Sequence, residues 1–339
     1  MSEPTTTTTV PPADPTEPSE AQVIDPVDPG KTSRPRRHVN GKFVIGAIML
    51  SLITLFAIFG PMIAKFDPRD SDHPVLNAPD ATYWMGTTSL GYDMFAQMAV
   101  GARTSLMVGI IAGLIAVTLS VLFGVVAGYV GGMTDEILTL AIGVMLVIPG
   151  LPLTIVISSA VPGRSAILVA VILGITGWAG SAVVLRSQAQ SLRNRDYVSA
   201  SRIAGEHPLR VIGVEILPNL LPLLTSQFLF GVIFAILGEA GLSYLGLGPT
   251  GSISWGTILN EAQAGGALTR GAWWWFIPPG IAVALVGCSL ALINFAIDEV
   301  INPKLRSAPI EARRVRKAKA AARAAKRTAR ASARQEAKA

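Results

Sequence analysis

The feature that most constrains this chain is a series of apolar stretches, each long enough to cross the hydrocarbon core of a bilayer as a helix, which takes roughly 20 residues. They are read near positions 43–64, 104–130, 137–158, 166–185, 222–245 and 276–298 of the 339-residue chain. Half of all residues are apolar and only 15% are charged, which disfavours a soluble globular domain. Backbone amides in lipid must be satisfied within the segment, and the stretches lack the alternating ten-residue pattern of an outer-membrane strand. The expected fold is therefore an all-α integral membrane protein with six transmembrane helices.

Charge sets the expected orientation. Lys31, Arg34, Arg36, Arg37 and Lys42 precede the first span, and Arg186, Arg193, Arg195, Arg202 and Arg210 fill the loop after the fourth. The alternate loops hold only Lys65, Arg69, Arg103, Arg164 and Arg270. Basic residues collect on the inner side of a membrane, so both termini are expected in the cytoplasm. Tyr83, Trp84 and the run Trp273, Trp274, Trp275 would then form an outer interfacial belt.

The ends differ sharply from the middle. Residues 1–41 are rich in Thr, Pro and acid, and read as a disordered cytoplasmic tail with no signal-peptide pattern. Residues 307–339 form an Ala- and Arg-rich basic extension without an apolar face. It reads as a solvated tail held inside by its charge, with anionic membrane lipid as the next partner and nucleic acid disfavoured. The span-bearing region is 42–306.

Within the spans, Gly109 with Gly113 and Gly124 with Gly128 make small-xxx-small pairs, read as close helix packing inside this one chain. Glu239 is the single ionisable candidate for a midplane role, and its place late in the fifth span favours an interfacial carboxylate near the outer end. Catalytic and metal sites are expected to be absent. Cys288 is the only cysteine and His38, His73 and His207 are isolated, which leaves no cysteine or histidine ligand set. No nucleophile and base stand paired. Gly30-Lys31-Thr32 lacks the glycine five positions earlier that a phosphate loop needs, and Gly246-x-Gly248-x-x-Gly251 follows an apolar span where a dinucleotide fingerprint needs a strand. No cofactor is expected on this chain.

The informative stretch is the inside loop of about 186–221. Tyr197, Ala200 and Ala204 share a helical face with Ile203 beside them, while Arg195, Arg202 and Glu206 point elsewhere, so a short amphipathic helix is expected, ended by Gly205. Pro208 opens a new segment, and Pro218 and Pro222 are read as marking the turn into the next span.

Here the sequence resembles a known family. The run Tyr197-Val198-Ser199-Ala200-Ser201-Arg202-Ile203-Ala204-Gly205, continuing to Leu217-Pro218-Asn219, is similar to the EAA loop of ABC importer permeases. Gly86-Thr87-Thr88-Ser89-Leu90-Gly91-Tyr92-Asp93, Gly101-Ala102-Arg103-Thr104-Ser105-Leu106 and Ala127-Gly128-Tyr129-Val130-Gly131-Gly132 resemble motifs of the peptide and nickel branch, second-subunit type. So does Glu239-Ala240-Gly241-Leu242-Ser243-Tyr244-Leu245-Gly246-Leu247-Gly248, followed by Ser254-Trp255-Gly256. The likeness covers roughly 42–306. Ser199 and Ser201 stand where the family has an acid and an alanine, Thr88 and Tyr92 where it has Asp and Arg, and the family's closing pattern is shortened after Asp298.

The resemblance implies a type I ABC importer permease fold in the bacterial cytoplasmic membrane. The implied partners are a homologous second permease, two ABC ATPase subunits that hold ATP and Mg, and an external substrate-binding protein. This chain would perform no chemistry. Tyr197, Ala200, Ser201, Arg202, Ala204, Gly205, Glu206, Leu217 and Pro218 would form the ATPase-coupling surface, with Asp93, Glu239 and Trp255 at the outer face or pathway. Di- and oligopeptides are the implied solutes, with nickel or another small solute as the alternative. A self-sufficient secondary carrier would need midplane charge or broken helices. A membrane scaffold would depend on the basic tail.

Overall fold

The computed structural model describes residues 41–301, and both expected tails lie outside them except for Gly41, which opens the first helix. The described chain is helical, with no strand and a single antiparallel bridge between Thr87 and Asp93. Ten helices run in order: α1 Gly41–Ile63, α2 Met94–Val130, α3 Gly132–Val147, α4 Gly150–Ala160, α5 Ala166–Thr176, α6 Ala179–Arg193, α7 Asp196–Ile203, α8 Pro208–Tyr244, α9 Trp255–Ala264 and α10 Trp273–Ile301.

Four of them, α1, α2, α8 and α10, are long and apolar enough to cross a membrane. The expected third and fourth spans need correction. The stretch 137–158 is no single rod: α3 and α4 meet at 83°. The cause is Pro149, which forces Ile148 into extended backbone and cannot continue the preceding helix. The α5–α6 pair bends by 47° at Gly177–Trp178 and continues to Arg193. Counting each bent pair as one span gives six.

The second and fifth spans start earlier than hydropathy suggests. Asp93 caps α2 by accepting the Ala96 N–H at 2.9 Å, which fixes the start at Met94. The fifth begins at Pro208, so Pro218 and Pro222 do not mark a turn outside the span. A π-helical turn at Ile212–Ile216 shifts the backbone register just before Pro218. Asn219 donates its side-chain amide to the Glu215 carbonyl at 2.6 Å, giving that carbonyl a partner where the helix changes register.

At 37 residues α2 is about 55 Å long, well beyond the ~30 Å hydrocarbon core, so its two ends project from opposite faces of a bilayer. The glycine pairs pack inside the chain, as expected. Gly109 and Gly113 lie against Val232 on α8, and Gly124 and Gly128 against the Ala182 and Arg186 carbonyls on α6. The interfacial tryptophan belt is only partly formed. Trp84 and Trp273 are exposed, but Trp275 is buried and Trp274 donates Nε1 to the Thr87 carbonyl at 3.1 Å.

Candidate functional site

The sequence-predicted site residues fall at two ends of the bundle. At the end reached by Val130, α7 is joined to α8 by a turn at Gly205. Gly205 has φ +79°, and the N–H groups of Gly205 and Glu206 return to the Arg202 and Ser201 carbonyls at 3.1 Å each. This is the left-handed glycine stop that closes a helix C-terminus. The inner face is anchored by Val198, fully buried with Leu185, Ala189, Val211, Ile212 and Ile216. Val198 was missed in the sequence because the face was drawn through Tyr197, Ala200 and Ala204.

Those three residues, expected on the coupling surface, face outward. Tyr197, Ala200, Arg202, Ile203 and Ala204 are exposed, Ile203 at 88% and the nearby Leu209 at 71%. Ser201 and Glu206 are half-buried. Glu206 pairs with Arg210 at 3.5 Å, an exposed contact that contributes little. Leu217 packs on the Val198 cluster, and Pro218 is exposed on the continuing helix. The segment therefore presents a solvent-side apolar surface on a base packed to α2, α6 and α8.

At the opposite end lies Glu239, expected as an interfacial carboxylate near the outer end of its span. It is fully buried, because three hydroxyls close over it. Ser243 and Ser254 donate to Oε1 at 2.6 Å each, and Ser105 donates to Oε2 at 3.2 Å. The oxygens of Ser105 and Ser254 in turn accept the N–H groups of Trp255 and Thr257 at 3.2 and 3.1 Å. One carboxylate thus ties α2, α8 and the first turn of α9. Trp255 completes the joint, donating Nε1 to the Met98 carbonyl at 3.2 Å. Asp93 does not join this group; it is the buried cap of α2, and burial pushes its carboxyl above the usual aspartate value.

A neighbouring arginine went unassigned in the sequence. Pro61 lacks the N–H that would reach the Ala57 carbonyl within α1. Arg103 supplies the donor from α2, with Nε on Ala57 O and Nη2 on Ile58 O, both at 2.6 Å. The signal was available as a proline in a span opposite a charge in the next helix.

Between the two ends lies a cavity of about 560 Å³. Ala112, Gly150, Thr154, Gly177 and Gly231 line it, with Ser181 donating to Gln227 at 2.8 Å. Its wall carries no charged side chain.

Long apolar helices around an uncharged, glycine-lined cavity are the build of a multi-pass membrane protein. Residues 120–307 match the family described as binding-protein-dependent transport system inner membrane component, and residues 40–79 match the N-terminal TM domain of oligopeptide transport permease C. The chain belongs to this family of inner membrane permease components. It is 33% identical to the oligopeptide transport system permease protein OppC of Bacillus subtilis over 282 residues, covering 81% of this chain and 90% of that one. It is 35% identical to the dipeptide transport system permease protein DppC of Escherichia coli over 273 residues, covering 78% and 89%. The DppC of Bacillus subtilis is 34% identical over 264 residues, covering 77% and 81%.

Proposed function

We propose that this chain is a permease subunit of an ATP-driven importer of di- and oligopeptides. It forms the translocation path with a second, homologous permease, couples to two cytoplasmic ATPase subunits, and receives solute from an external binding protein. The four long helices and the two bent pairs make six spans, with both termini on the cytoplasmic side of the bacterial membrane. Residues 42–306 are the permease domain, flanked by the tails 1–41 and 307–339. The names carried by its relatives favour peptides over nickel.

The observation that carries the coupling role is the exposed apolar surface of Tyr197, Ile203 and Leu209 on a segment whose inner face is buried under α8. Such a surface next to a charged aqueous phase fits a protein partner better than solvent. Because Leu209 lies in the first turn of α8 and α7 is joined to it by the short Gly205 turn, a push there tilts the helix that lines the cavity. Ala200, Ser201, Arg202, Ala204 and Glu206 complete the docking face, and Gly205, Leu217 and Pro218 hold its shape. ATP binding and hydrolysis belong to the partners; this chain transmits a conformational bias no larger than the difference in its interactions with the two states.

The test is Ile203→Asp in the reconstituted complex. It touches no buried contact, so thermal stability stays within about 0.5 kcal/mol of the parent. Peptide uptake falls at least tenfold, and the ATPase subunits are lost on purification at moderate salt. Uptake at the parental rate removes the docking assignment.

A further inference from the structure

A polar cavity lies beside the Glu239 joint. It measures about 350 Å³ and is bounded by the loop 246–253, α9 and Arg69. Gln97 lines it and is 2% exposed; its Nε2 donates to the Pro68 carbonyl at 3.0 Å, and its Oε1 receives no donor. Glu261 on α9 also lines it, half-buried, with no hydrogen bond or ion pair to its carboxylate among the described residues. Burial pushes the Glu261 carboxyl above its ordinary value, and the charge on Arg69 offsets this only in part. Arg69 is already engaged, donating Nη2 to the Gly251 carbonyl at the rim.

An anion partly withdrawn from water beside an acceptor with no donor calls for a compact positive group with several N–H bonds. A primary ammonium has three donors and one charge. A hard divalent cation favours several anionic oxygens among six or more ligands, and Glu261 is the one carboxylate in this lining. Every unblocked peptide carries an ammonium at its first residue, and the cavity has room for about that residue. The wall is also rigid, since Ser243 and Thr257 in its lining are fixed by the Glu239 joint.

We propose that the cavity between α9 and the 246–253 loop is a subsite for the N-terminal ammonium of a peptide, with the Glu261 carboxylate and Gln97 Oε1 as its acceptors. The assignment rests on the peptide-importer reading. Such a subsite reads the part that all unblocked peptides share, and leaves their side chains unread.

The experiment measures equilibrium binding of trialanine, N-acetyl-trialanine and N-acetyl-lysine amide to the purified transporter complex, with the binding protein withheld. Trialanine is expected to bind at least tenfold more tightly than its acetylated form. Glu261→Gln abolishes that preference, and Glu261→Asp, which keeps the carboxylate, restores most of it. Co-purification of all subunits with each variant establishes that it folds. Equal binding of trialanine by the parent and Glu261→Gln overturns the subsite. Tight binding of N-acetyl-lysine amide moves the ammonium from the chain end to a side chain and overturns the terminus assignment. ATP-driven uptake of trialanine into vesicles with the binding protein present is measured separately. Its absence, with binding intact, refutes the importer reading and leaves the site standing.

Discussion

The two ends of the bundle are held by different physics. Near Met94, fixed polar partners dominate: one carboxylate gathers three serines, an arginine mends a proline break, and Asp80 closes its own loop. Near Val130, the 194–211 segment has one exposed ion pair and one side-chain hydrogen bond, in which His207 Nδ1 accepts the Leu209 N–H, and depends on the burial of Val198 and Val211. Directional bonds fix a geometry, whereas apolar burial on one face leaves the other face free to be covered. The first end suits a rigid seat and the second a docking surface.

The contrast is broken most severely by Glu239→Ala. It strands three buried hydroxyls, and at the ~0.6 to 1.7 kcal/mol typical of hydrogen bonds within membranes, plus the vacated volume, about 2–4 kcal/mol of stability is lost. Glu239→Gln keeps an acceptor for Ser243 and Ser254 and costs about 1 kcal/mol. Thermal unfolding in detergent separates the two. A parental melting temperature for the alanine variant means the joint holds nothing together.

Arg103→Gln comes next, at about 1.5–3 kcal/mol, because it removes charged donors from two carbonyls. Pro61→Ala gives Ala57 back its helical partner, so in the double variant the loss at Arg103 shrinks. A double-mutant cycle with no coupling energy would show that Arg103 does not compensate Pro61.

How much of this was legible in the sequence follows the same division. Apolar length identified the helices, since burial in lipid writes itself along the chain, but it could not show that Pro149 bends one expected span by 83°. Motifs located Glu239, Trp255 and the 197–205 segment without their surroundings. The enclosure of Glu239 was not legible because two of the serines that bury it lie 134 and 15 residues away, and contacts at such separations have no local pattern. Val198 was missed because a helix of eight residues presents too few turns for periodicity to decide which face points inward. The prolines of α8 were read as a boundary because the π-helical turn that accommodates them is a backbone adjustment with no composition of its own.

At the docking end the substitution Gly205→Val tests the turn. No atom lies within 4 Å of the position a Cβ would take, so the cost within this chain is the left-handed backbone alone, about 1–2 kcal/mol. The variant is expected to fold and insert yet lose transport, because the added bulk projects into the surface assigned to the ATPase. Gly205→Ala has less bulk and a smaller left-handed strain than the β-branched valine, and retains more uptake. Equal uptake by the two variants would assign any loss to strain, and parental uptake by valine would free this turn from docking.

The smallest effect sharpens the seat end. Asp80 accepts the N–H groups of Thr82 and Tyr83 and the Asn77 amide, each at 2.7 Å. The Tyr83 N–H, and then Asn77, hold its carboxyl below the ordinary 3.8. A depressed value in the folded state means the ionised form is preferred there. Its contribution is complete above the unfolded value and disappears as pH falls through the folded one, from about 4 downward. The group is exposed, so the effect is local, and amide exchange at Thr82 and Tyr83 is the fitting measurement. Protection at these amides is expected to fall on acidification in the parent and to be weaker and pH-independent in Asp80→Asn. A parent whose protection is flat through that range would mean the loop is held by its backbone bonds alone, and the polar character of this end would then rest on its buried groups.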